Sequence, residues 1–130
     1  MPLVQFNIVK GKSKEDIQQL LDISHEVFVH SLNLPQGDRF QTVSEYDDHG
    51  LVMKDVDLGF TRDSERILVS VVSRPRPKEQ KIALYKELVA AYETHLGIKP
   101  ENVMINFVIN DDEDWSFGFG RAQFLTGELS

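Results

Sequence analysis

The fold is decided by the stretch Ile67-Leu-Val-Ser-Val-Val-Ser-Arg-Pro-Arg-Pro77, in which a strongly apolar run ends at two successive Arg-Pro pairs. The run Ile67–Ser73 predicts a buried β-strand, since it is short, rich in β-branched residues and bounded by prolines. Pro77 suits the first position of a helix, where its missing N–H costs nothing. The stretch therefore predicts a strand that leads directly into a helix.

The residues that follow complete a β-α-β unit. A helix stripe is predicted by apolar residues at three- and four-residue spacing, namely Ile82, Tyr85, Leu88, Val89, Tyr92 and Leu96. Gly97 suits a helix C-cap, because glycine adopts the left-handed conformation easily. Val103–Ile109 predicts the second strand of the unit. The tail from Asp111 is rich in glycine and aromatic residues, which predicts a hairpin or a wall rather than a helix.

The same order of elements occurs earlier in the chain, at an offset of 64 residues. Leu3–Ile8 predicts a strand, Ser13 a helix N-cap, and Arg39–Ser44 a second strand. The helix stripe between the strands comprises Ile17, Leu20, Leu21, Ser24, Val27, Phe28 and Ser31. Few residues are identical between the two copies, and Asp38 falls on Asn102. The repeat is therefore one of architecture rather than of individual letters.

Together the repeats predict an α+β fold in a single domain spanning residues 1–130. Two tandem β-α-β units, at about 2–46 and 66–110, would form one four-stranded mixed sheet with both helices on one face, followed by a C-terminal hairpin or tail. The other face of the sheet would be apolar and would need a partner, which favours an oligomer.

Composition limits the functional classes. The chain has 130 residues, a net charge of -7 and no cysteine, which excludes disulfides, thiolate–metal sites and thiol nucleophiles and disfavours nucleic-acid binding. No apolar run is long enough for a membrane helix, and we expect a cytoplasmic protein. The histidines His25, His30, His49 and His95 show no metal-ligand grouping, and Asp111–Asp114 is typical of a solvated turn.

The start of the chain offers an unusual base. If Met1 is removed, Pro2 becomes a free secondary amine at the end of a strand. An α-amino group titrates at roughly 7.7–8.0, and burial or nearby cations lower its pKa further. Such an amine could serve as a catalytic acid or base. The structural alternative is that Pro2 only begins the strand, where a missing N–H does no harm.

Three charged residues could join Pro2. The two strands of the first unit are expected to be parallel, so Pro2 and Asp38 should lie at one edge of the sheet. Arg74 and Arg76 follow the first strand of the second unit. They would reach the same edge only if a pseudo-twofold axis makes the two units antiparallel, which periodicity does not decide. The alternatives are a solvated turn for the arginines and a turn or cap role for Asp38.

The aromatic tail suggests an apolar wall. Trp115, Phe117 and Phe124 are set among glycines, and such side chains can line a binding pocket. A core flap or an oligomer contact would explain the same residues equally well, and a neighbouring subunit could share the wall.

These residues resemble those of the tautomerase superfamily, and within it the malonate semialdehyde decarboxylase group. The similarity rests on Pro2 directly after Met1, Gly37-Asp38-Arg39-Phe40, Arg74-Pro75-Arg76 and Asp114-Trp-Ser-Phe-Gly-Phe-Gly120 through Thr126-Gly-Glu-Leu129. The resemblance implies a tautomerase-type β-α-β fold, a homotrimer, and Pro2 as the catalytic amine with Asp38 as its polar partner. It also implies that Arg74 and Arg76 bind carboxylate, and that Trp115, Phe117, Phe124 and Leu129 form a hydrophobic wall.

The resemblance implies cofactor-free chemistry on small oxo acids. A protonated Pro2 would assist decarboxylation of a 3-oxo acid, with tautomerase or hydratase side activities. A neutral Pro2 would instead act as the base of a keto-enol tautomerase on phenylpyruvate-like 2-oxo acids. A third possibility from another class is a cytokine-like interaction protein without catalysis, which a retained Met1 would favour.

Overall fold

The computed structural model describes residues 1–130 and contains one four-stranded sheet covered on one face by two long helices. The strands are β1 (Leu3–Val9), β2 (Phe40–Tyr46), β3 (Ile67–Ser73) and β4 (Val103–Ile109). The helices are α1 (Lys14–Leu32), α2 (Lys78–Leu96) and the one-turn α3 (Gln123–Thr126). Short 3-10 turns occur at Asp48–Gly50, Pro100–Asn102 and Asp112–Asp114. None of the helices combines the length and the apolar character that a membrane span requires.

The sheet has the order β2-β1-β3-β4, with antiparallel pairing in the middle. β1 pairs with β2 in parallel, and β3 pairs with β4 in parallel, as expected for two β-α-β units. β1 and β3 are antiparallel, with Leu3 opposite Val72. The two units are therefore related by a pseudo-twofold axis, which decides the question that the sequence left open.

Local signals account for the ends of both long helices. The Ser13 hydroxyl accepts a hydrogen bond from the Asp16 N–H at 3.1 Å and so caps α1. Asn33 ends α1 in the left-handed conformation with φ 53°, and Gly97 ends α2 in the same way with φ 67°. Pro77 lies immediately before α2 in an extended conformation, rather than inside its first turn.

The core lies between the sheet and the two helices. Its strand residues are Val4, Phe6, Ile8, Ile67, Val69 and Val71, and its helix residues include Leu20, Phe28, Leu32, Leu84, Leu88 and Tyr92. The α2 stripe differs from the prediction, because Ile82 is 44% exposed while Leu84 is fully buried. Tyr85, which is also partly exposed, packs edge-on against Phe107 of β4. Apolar spacing identified the helix but not its buried face.

The opposite face of the sheet is mixed rather than apolar. Gln5 donates hydrogen bonds to Asn7 and Ser44, and the Tyr46 hydroxyl donates to Asn7. Apolar side chains flank this polar network, among them Leu3, Phe40, Met104 and Val108, which are 39–57% exposed. The tail also departs from a hairpin of strands. It contains a single bridge between Gly118 and Arg121, followed by α3.

Candidate active site

The strand pairing brings the four predicted catalytic residues toward one edge of the sheet. Leu3 is paired with Phe40, so Pro2 and Asp38 both lie just before strands that start together. Leu3 is also opposite Val72, so the segment leaving β3 at Ser73 passes beside Pro2. Arg74 and Arg76 belong to that segment. This edge, carrying Pro2, Asp38, Arg74 and Arg76, is called the proline edge below.

The amine and the carboxylate of the proline edge lie close together, and the carboxylate is shielded from water. The terminal amine, which here belongs to Met1, is 3.9 Å from Asp38 Oδ2. The Asp38 side chain is only 3% exposed, and its Oδ1 has no hydrogen-bond partner. Pro2 is itself buried, and in an intact chain its nitrogen is an amide without basicity. Removal of Met1 would transfer the free amine to this buried position.

Burial favours the uncharged form of both the amine and the carboxyl group. It lowers the pKa of the terminal amine below its ordinary value; Asp38 opposes this effect, and Arg76 and Arg74 add to it. Burial likewise raises the pKa of the Asp38 carboxyl, against the opposing charges of the amine, Arg76 and His25. The pKa values of the amine and the carboxyl group are therefore shifted toward each other.

The two arginines of the proline edge have different surroundings. Arg76 donates to Ser73 Oγ at 3.3 Å and to the Leu32 carbonyl at 3.2 Å, both of which are neutral oxygens. Burial lowers its pKa, with Asp38 opposing and Arg74 adding to the effect, but arginine stays charged in proteins. Its positive charge is directed to the site without a directly contacting carboxylate.

Arg74, in contrast, is already paired. Its Nε donates to Asp112 Oδ1 at 2.7 Å, and another guanidinium N–H donates to the Ser130 carbonyl at 3.3 Å. Its guanidinium carbon also lies 3.9 Å from the centre of the Phe124 ring, a cation–π distance. Arg74 therefore connects β3 to the tail as well as adding charge to the proline edge.

The aromatic residues of the tail form one stacked group. Trp115 and Phe117 are nearly parallel at 5.4 Å, and Phe124 meets Phe117 edge-on at 5.3 Å. Phe40, at the start of β2, lies 5.6 Å from Phe117 and connects the group to the sheet. Leu129 is half-buried and bonds through its backbone N–H to the Gln123 carbonyl.

Two hollows occur at the proline edge. The larger is an open cavity of about 620 Å³, lined by Arg74, Pro75, Arg76, Asp111, Asp112, Glu113 and Leu125. The other is a recess of about 10 Å³, lined by residues that include Pro2, His25, Asp38 and Phe40. The predicted arginines thus line the open cavity, whereas Pro2 and Asp38 line the recess. None of Trp115, Phe117, Phe124 and Leu129 lines either hollow.

Three residues at this edge were missed by the sequence-based interpretation. His25 is buried in the recess and its Nε2 donates to the Gln36 carbonyl at 2.7 Å, which holds the turn before Asp38. Asp112 pairs with Arg74, although its sequence context indicated only a solvated turn. Gln123 is buried and bonds to the backbone of Phe117 and Gly118. Only the position of His25 on the buried stripe of α1, one residue after Ser24, offered a signal.

A metal centre is not formed at this edge or elsewhere. No group of three or more histidine, aspartate or glutamate side chains is positioned to hold a metal ion. What the proline edge offers chemically is an amine beside a buried carboxylate and one guanidinium without a contacting carboxylate. The aromatic group of the tail lies outside both hollows.

Comparison with known proteins identifies the class. Residues 38–118 match a family described as tautomerase enzyme. The chain is 40% identical to the probable tautomerase YrdN of Bacillus subtilis (strain 168), over 99% of this chain and all of that one. It is 34% identical to the probable tautomerase YusQ of the same organism, over 96% and 99% of the two chains. The chain therefore belongs to the tautomerase family of enzymes.

Two solved structures that are similar to this chain belong to one group within the family. A malonate semialdehyde decarboxylase, described with decarboxylase and hydratase activities, superimposes with a TM-score of 0.95 and 44% identity, over 98% of this chain and 99% of that one. A second malonate semialdehyde decarboxylase, inhibited by 3-bromopropiolate, gives 0.93 and 30% identity, over 98% of each chain. These similarities confirm the predicted superfamily and its decarboxylase-like group.

Proposed function

We propose that the chain is a cofactor-independent enzyme that uses the Pro2 amine, freed by removal of Met1, on small oxo acids. The main reaction would be decarboxylation of a 3-oxo acid such as malonate semialdehyde to an aldehyde and carbon dioxide. One observation carries the proposal: the Met1 amine and the buried Asp38 carboxylate lie 3.9 Å apart at the same place as Arg76, whose direct contacts are neutral oxygens. The 44% identity to a malonate semialdehyde decarboxylase supports the choice of reaction.

In this mechanism Arg76 binds the substrate carboxylate, and the protonated Pro2 amine polarises the aldehyde oxygen by donating a hydrogen bond to it. In the covalent variant the neutral Pro2 amine adds to the aldehyde carbon and water leaves, which gives an iminium that water hydrolyses after decarboxylation. The bond between the carboxylate and the α-carbon breaks, and its electron pair moves into the polarised carbonyl group. Carbon dioxide leaves, and the α-carbon then takes up a proton to give the aldehyde. Asp38 would hold the proton or orient a water molecule for this step.

Arg76 must accelerate the reaction by positioning the substrate carboxylate rather than by binding it tightly. An arginine that pairs with the leaving carboxylate also stabilises the ground state, and uniform stabilisation does not accelerate the reaction. The gain would come from holding the breaking bond perpendicular to the carbonyl plane, where the electron pair can delocalise. The aromatic group of Trp115, Phe117 and Phe124, with Leu129, would favour the loss of charge as carbon dioxide forms.

The second candidate is keto-enol tautomerisation of phenylpyruvate-like 2-oxo acids. Burial lowers the pKa of the Met1 amine. Pro2 is itself buried, so a Pro2 amine freed at this place would be shifted in the same direction, toward the neutral base that this reaction needs. The names of the two Bacillus relatives agree with this alternative. Both reactions use the same amine and the same arginines, and they differ in the protonation state of Pro2.

We also propose that the enzyme is a homotrimer with sites near subunit contacts. Exposed Leu3, Phe40, Met104 and Val108 on the helix-free face support an oligomer. A fused 4-OT with the same fold at 21% identity is described as a symmetric trimer. Light scattering during gel filtration should give three times the chain mass of 14.9 kDa. A monomer mass at micromolar concentration would contradict this assembly.

The proposed function is tested by measuring the mass of the chain, the pKa of the Pro2 amine and the two enzymatic activities. Mass spectrometry of the cellular protein should show a chain that begins at Pro2, and a mass that includes Met1 would sink both reactions. An NMR titration of the Pro2 nitrogen distinguishes them, since an acid needs a pKa near or above about 8 and a base needs one below neutrality. Direct assays of carbon dioxide release and of phenylpyruvate tautomerisation should rank the two reactions in the same order.

A further inference from the structure

Ser73 interrupts an apolar pattern at the end of β3. Burial alternates along this strand, and its buried positions are Ile67, Val69, Val71 and Ser73. The first three belong to the hydrophobic core, and Ser73 is as completely buried as they are. A hydroxyl group at such a position is unfavourable unless it forms hydrogen bonds, and polar residues at core positions are typical of functional sites.

The Ser73 hydroxyl has two partners in the segment that leaves β3. It donates to the Arg74 carbonyl at 2.8 Å, and it accepts from Arg76 Nε at 3.3 Å. Because the single hydroxyl proton is given to the carbonyl, the oxygen presents a lone pair to the arginine. The Ser73 carbonyl in turn accepts from the Asn110 N–H at 2.8 Å, which holds the serine beside the end of β4. The acceptor for Arg76 is therefore itself fixed.

Arg76 is held by acceptors on two different elements. Its Nε bonds to Ser73 at the end of β3, and its Nη1 bonds at 3.2 Å to the carbonyl of Leu32, the last residue of α1. The last carbonyls of an α-helix have no intrahelical partner and carry partial negative charge, so they suit a guanidinium donor. An arginine has five N–H groups, and both N–H groups of Nη2 remain for a carboxylate.

A fixed guanidinium meets a requirement of the proposed reaction. A positive charge attracts a carboxylate from any direction, whereas decarboxylation needs the breaking bond in one orientation relative to the carbonyl plane. A long, flexible arginine side chain would bind the substrate in several orientations unless other contacts hold it. With Nε bonded to Ser73, the side chain has one orientation, and the carboxylate is bound at Nη2.

We propose that Ser73 is a positioning residue that fixes the guanidinium of Arg76, so that the substrate carboxylate is bound in one orientation. The proposal rests on the function proposed above and adds a residue to the same site. Ser73 is buried and acts through Arg76 rather than on the substrate. Loss of its hydroxyl should leave the positive charge in place, and with it most of the binding, while the reaction becomes slower.

Ser73→Ala is the main test, measured by steady-state kinetics of the faster of the two proposed reactions. We expect kcat to fall about tenfold and KM to change less than about threefold, since a misplaced substrate costs rate more than affinity. Removal of the charge itself in Arg76→Ala should instead act mainly on KM. Ser73→Thr keeps the hydroxyl and suits a strand, so it should restore most of the rate.

Two further measurements show whether Ser73 acts through Arg76. NMR observes the Arg76 Nε–H directly, and its exchange with water should be severalfold faster in Ser73→Ala, because the proton loses its acceptor. Kinetics of the double variant provide the second measurement. In an Arg76→Ala background, Ser73→Ala should change kcat less than about twofold, because the group that the serine positions is already absent.

Ser24→Ala is the matched control. Ser24 is also completely buried, and its hydroxyl bonds to the Leu20 carbonyl and the Tyr92 hydroxyl, both at 2.6 Å. Like Ser73→Ala, this substitution removes a buried, hydrogen-bonded hydroxyl and should lower the free energy of unfolding. It should leave kcat, KM and the exchange of the Arg76 Nε–H unchanged.

The outcomes separate this inference from the proposed function. Unchanged kcat in Ser73→Ala, or equal Nε–H exchange with and without the hydroxyl, overturns the positioning role even if the enzyme decarboxylates malonate semialdehyde. An equal fall of kcat in Ser24→Ala, or an undiminished effect of Ser73→Ala in the Arg76→Ala background, also overturns it. If neither reaction is catalysed, faster exchange in Ser73→Ala supports the fixing of Arg76 and contradicts the proposed function alone.

Discussion

The two edges of the sheet are related by the 64-residue repeat, yet the positively charged side chains at the two edges have different contacts. At the proline edge Arg76 contacts only neutral oxygens of Ser73 and Leu32. At the opposite edge its repeat equivalent, Lys12, forms an ion pair with Glu65. Both cations are mostly shielded from solvent, so exposure does not explain the difference. The fold supplies two similar edges, and the placement of carboxylates decides which of them can bind an anion.

A second pair of equivalent residues differs in the same way. Asn102, at the edge opposite Asp38, is 1% exposed, and its amide bonds to the Asp63 N–H and carboxylate at 2.9 and 2.8 Å. Asp38 is almost as buried, but its Oδ1 has no partner. A buried amide with its hydrogen bonds formed stabilises a turn. A buried carboxylate with an unpartnered oxygen beside an amine instead reduces stability, and such groups are typical of functional sites.

Pro2→Ala should give the largest effect, because it replaces a rigid secondary amine with a flexible primary one at the reacting position. We expect the rate constant kcat to fall by about 10³-fold, within the range for loss of a catalytic acid or base. Steady-state decarboxylation and tautomerisation assays check this, after mass spectrometry has confirmed the terminus. Full activity in this variant would refute the role of the amine, and Lys12→Ala at the opposite edge serves as the unaffected comparison.

Arg76→Ala should come next, and its comparison is again Lys12→Ala. Loss of a charge-assisted hydrogen bond to the substrate carboxylate should raise KM by about 10- to 100-fold, with a smaller change in kcat. Lys12→Ala should change KM less than about twofold, because its charge is used by Glu65. Equal effects of the two substitutions would remove the distinction between the edges.

Substitution of the two buried polar residues, Asn102 and Asp38, should change the free energy of unfolding in opposite directions. Asn102→Asp would set a new carboxylate against Asp63 and should reduce the free energy of unfolding at pH 7 by about 2 kcal/mol. Asp38→Asn should raise it by about 1 kcal/mol at pH 7, since a buried charge with one unpartnered oxygen is removed, while activity falls. Urea denaturation measures both.

The pH dependence of the Asp38→Asn effect has a definite sign. Burial raises the pKa of Asp38 above its ordinary value of 3.8, so the folded state favours the protonated carboxyl. The cost of ionising it is absent below pH 3.8 and grows as the pH rises through the raised value. The two proteins should therefore have equal stability near pH 3 and diverge toward pH 7. A difference that is independent of pH would contradict the assignment to this carboxyl.

His25 should give the smallest effect, because it acts through the turn before Asp38 rather than on substrate. His25→Leu removes the donor to the Gln36 carbonyl and should lower kcat about fivefold, the value of one neutral hydrogen bond. His25→Gln keeps a side-chain N–H and should restore most of that loss. If the glutamine variant is as slow as the leucine variant, the hydrogen bond is not the cause.

Much of this architecture could be read from local patterns. The strands Ile67–Ser73 and Val103–Ile109 have the predicted bounds, and Ser13, Asn33 and Gly97 end the helices as their residue types suggest. The buried face of α2 could not be read in this way. Ile82 and Leu84 are both apolar, and which of them enters the core depends on how α2 packs against the sheet and α1.

The sequence by itself determined the two β-α-β units, their helix caps and the residue types that could do chemistry, because these depend on neighbours a few positions apart. Only the tertiary structure decided that β1 and β3 run antiparallel, which brings Pro2 and Asp38 to Arg76. It also decided that Asp112 neutralises Arg74 and that His25 holds the turn before Asp38. Such pairings depend on distances between residues far apart in the chain, and the period of a local pattern carries no information about them.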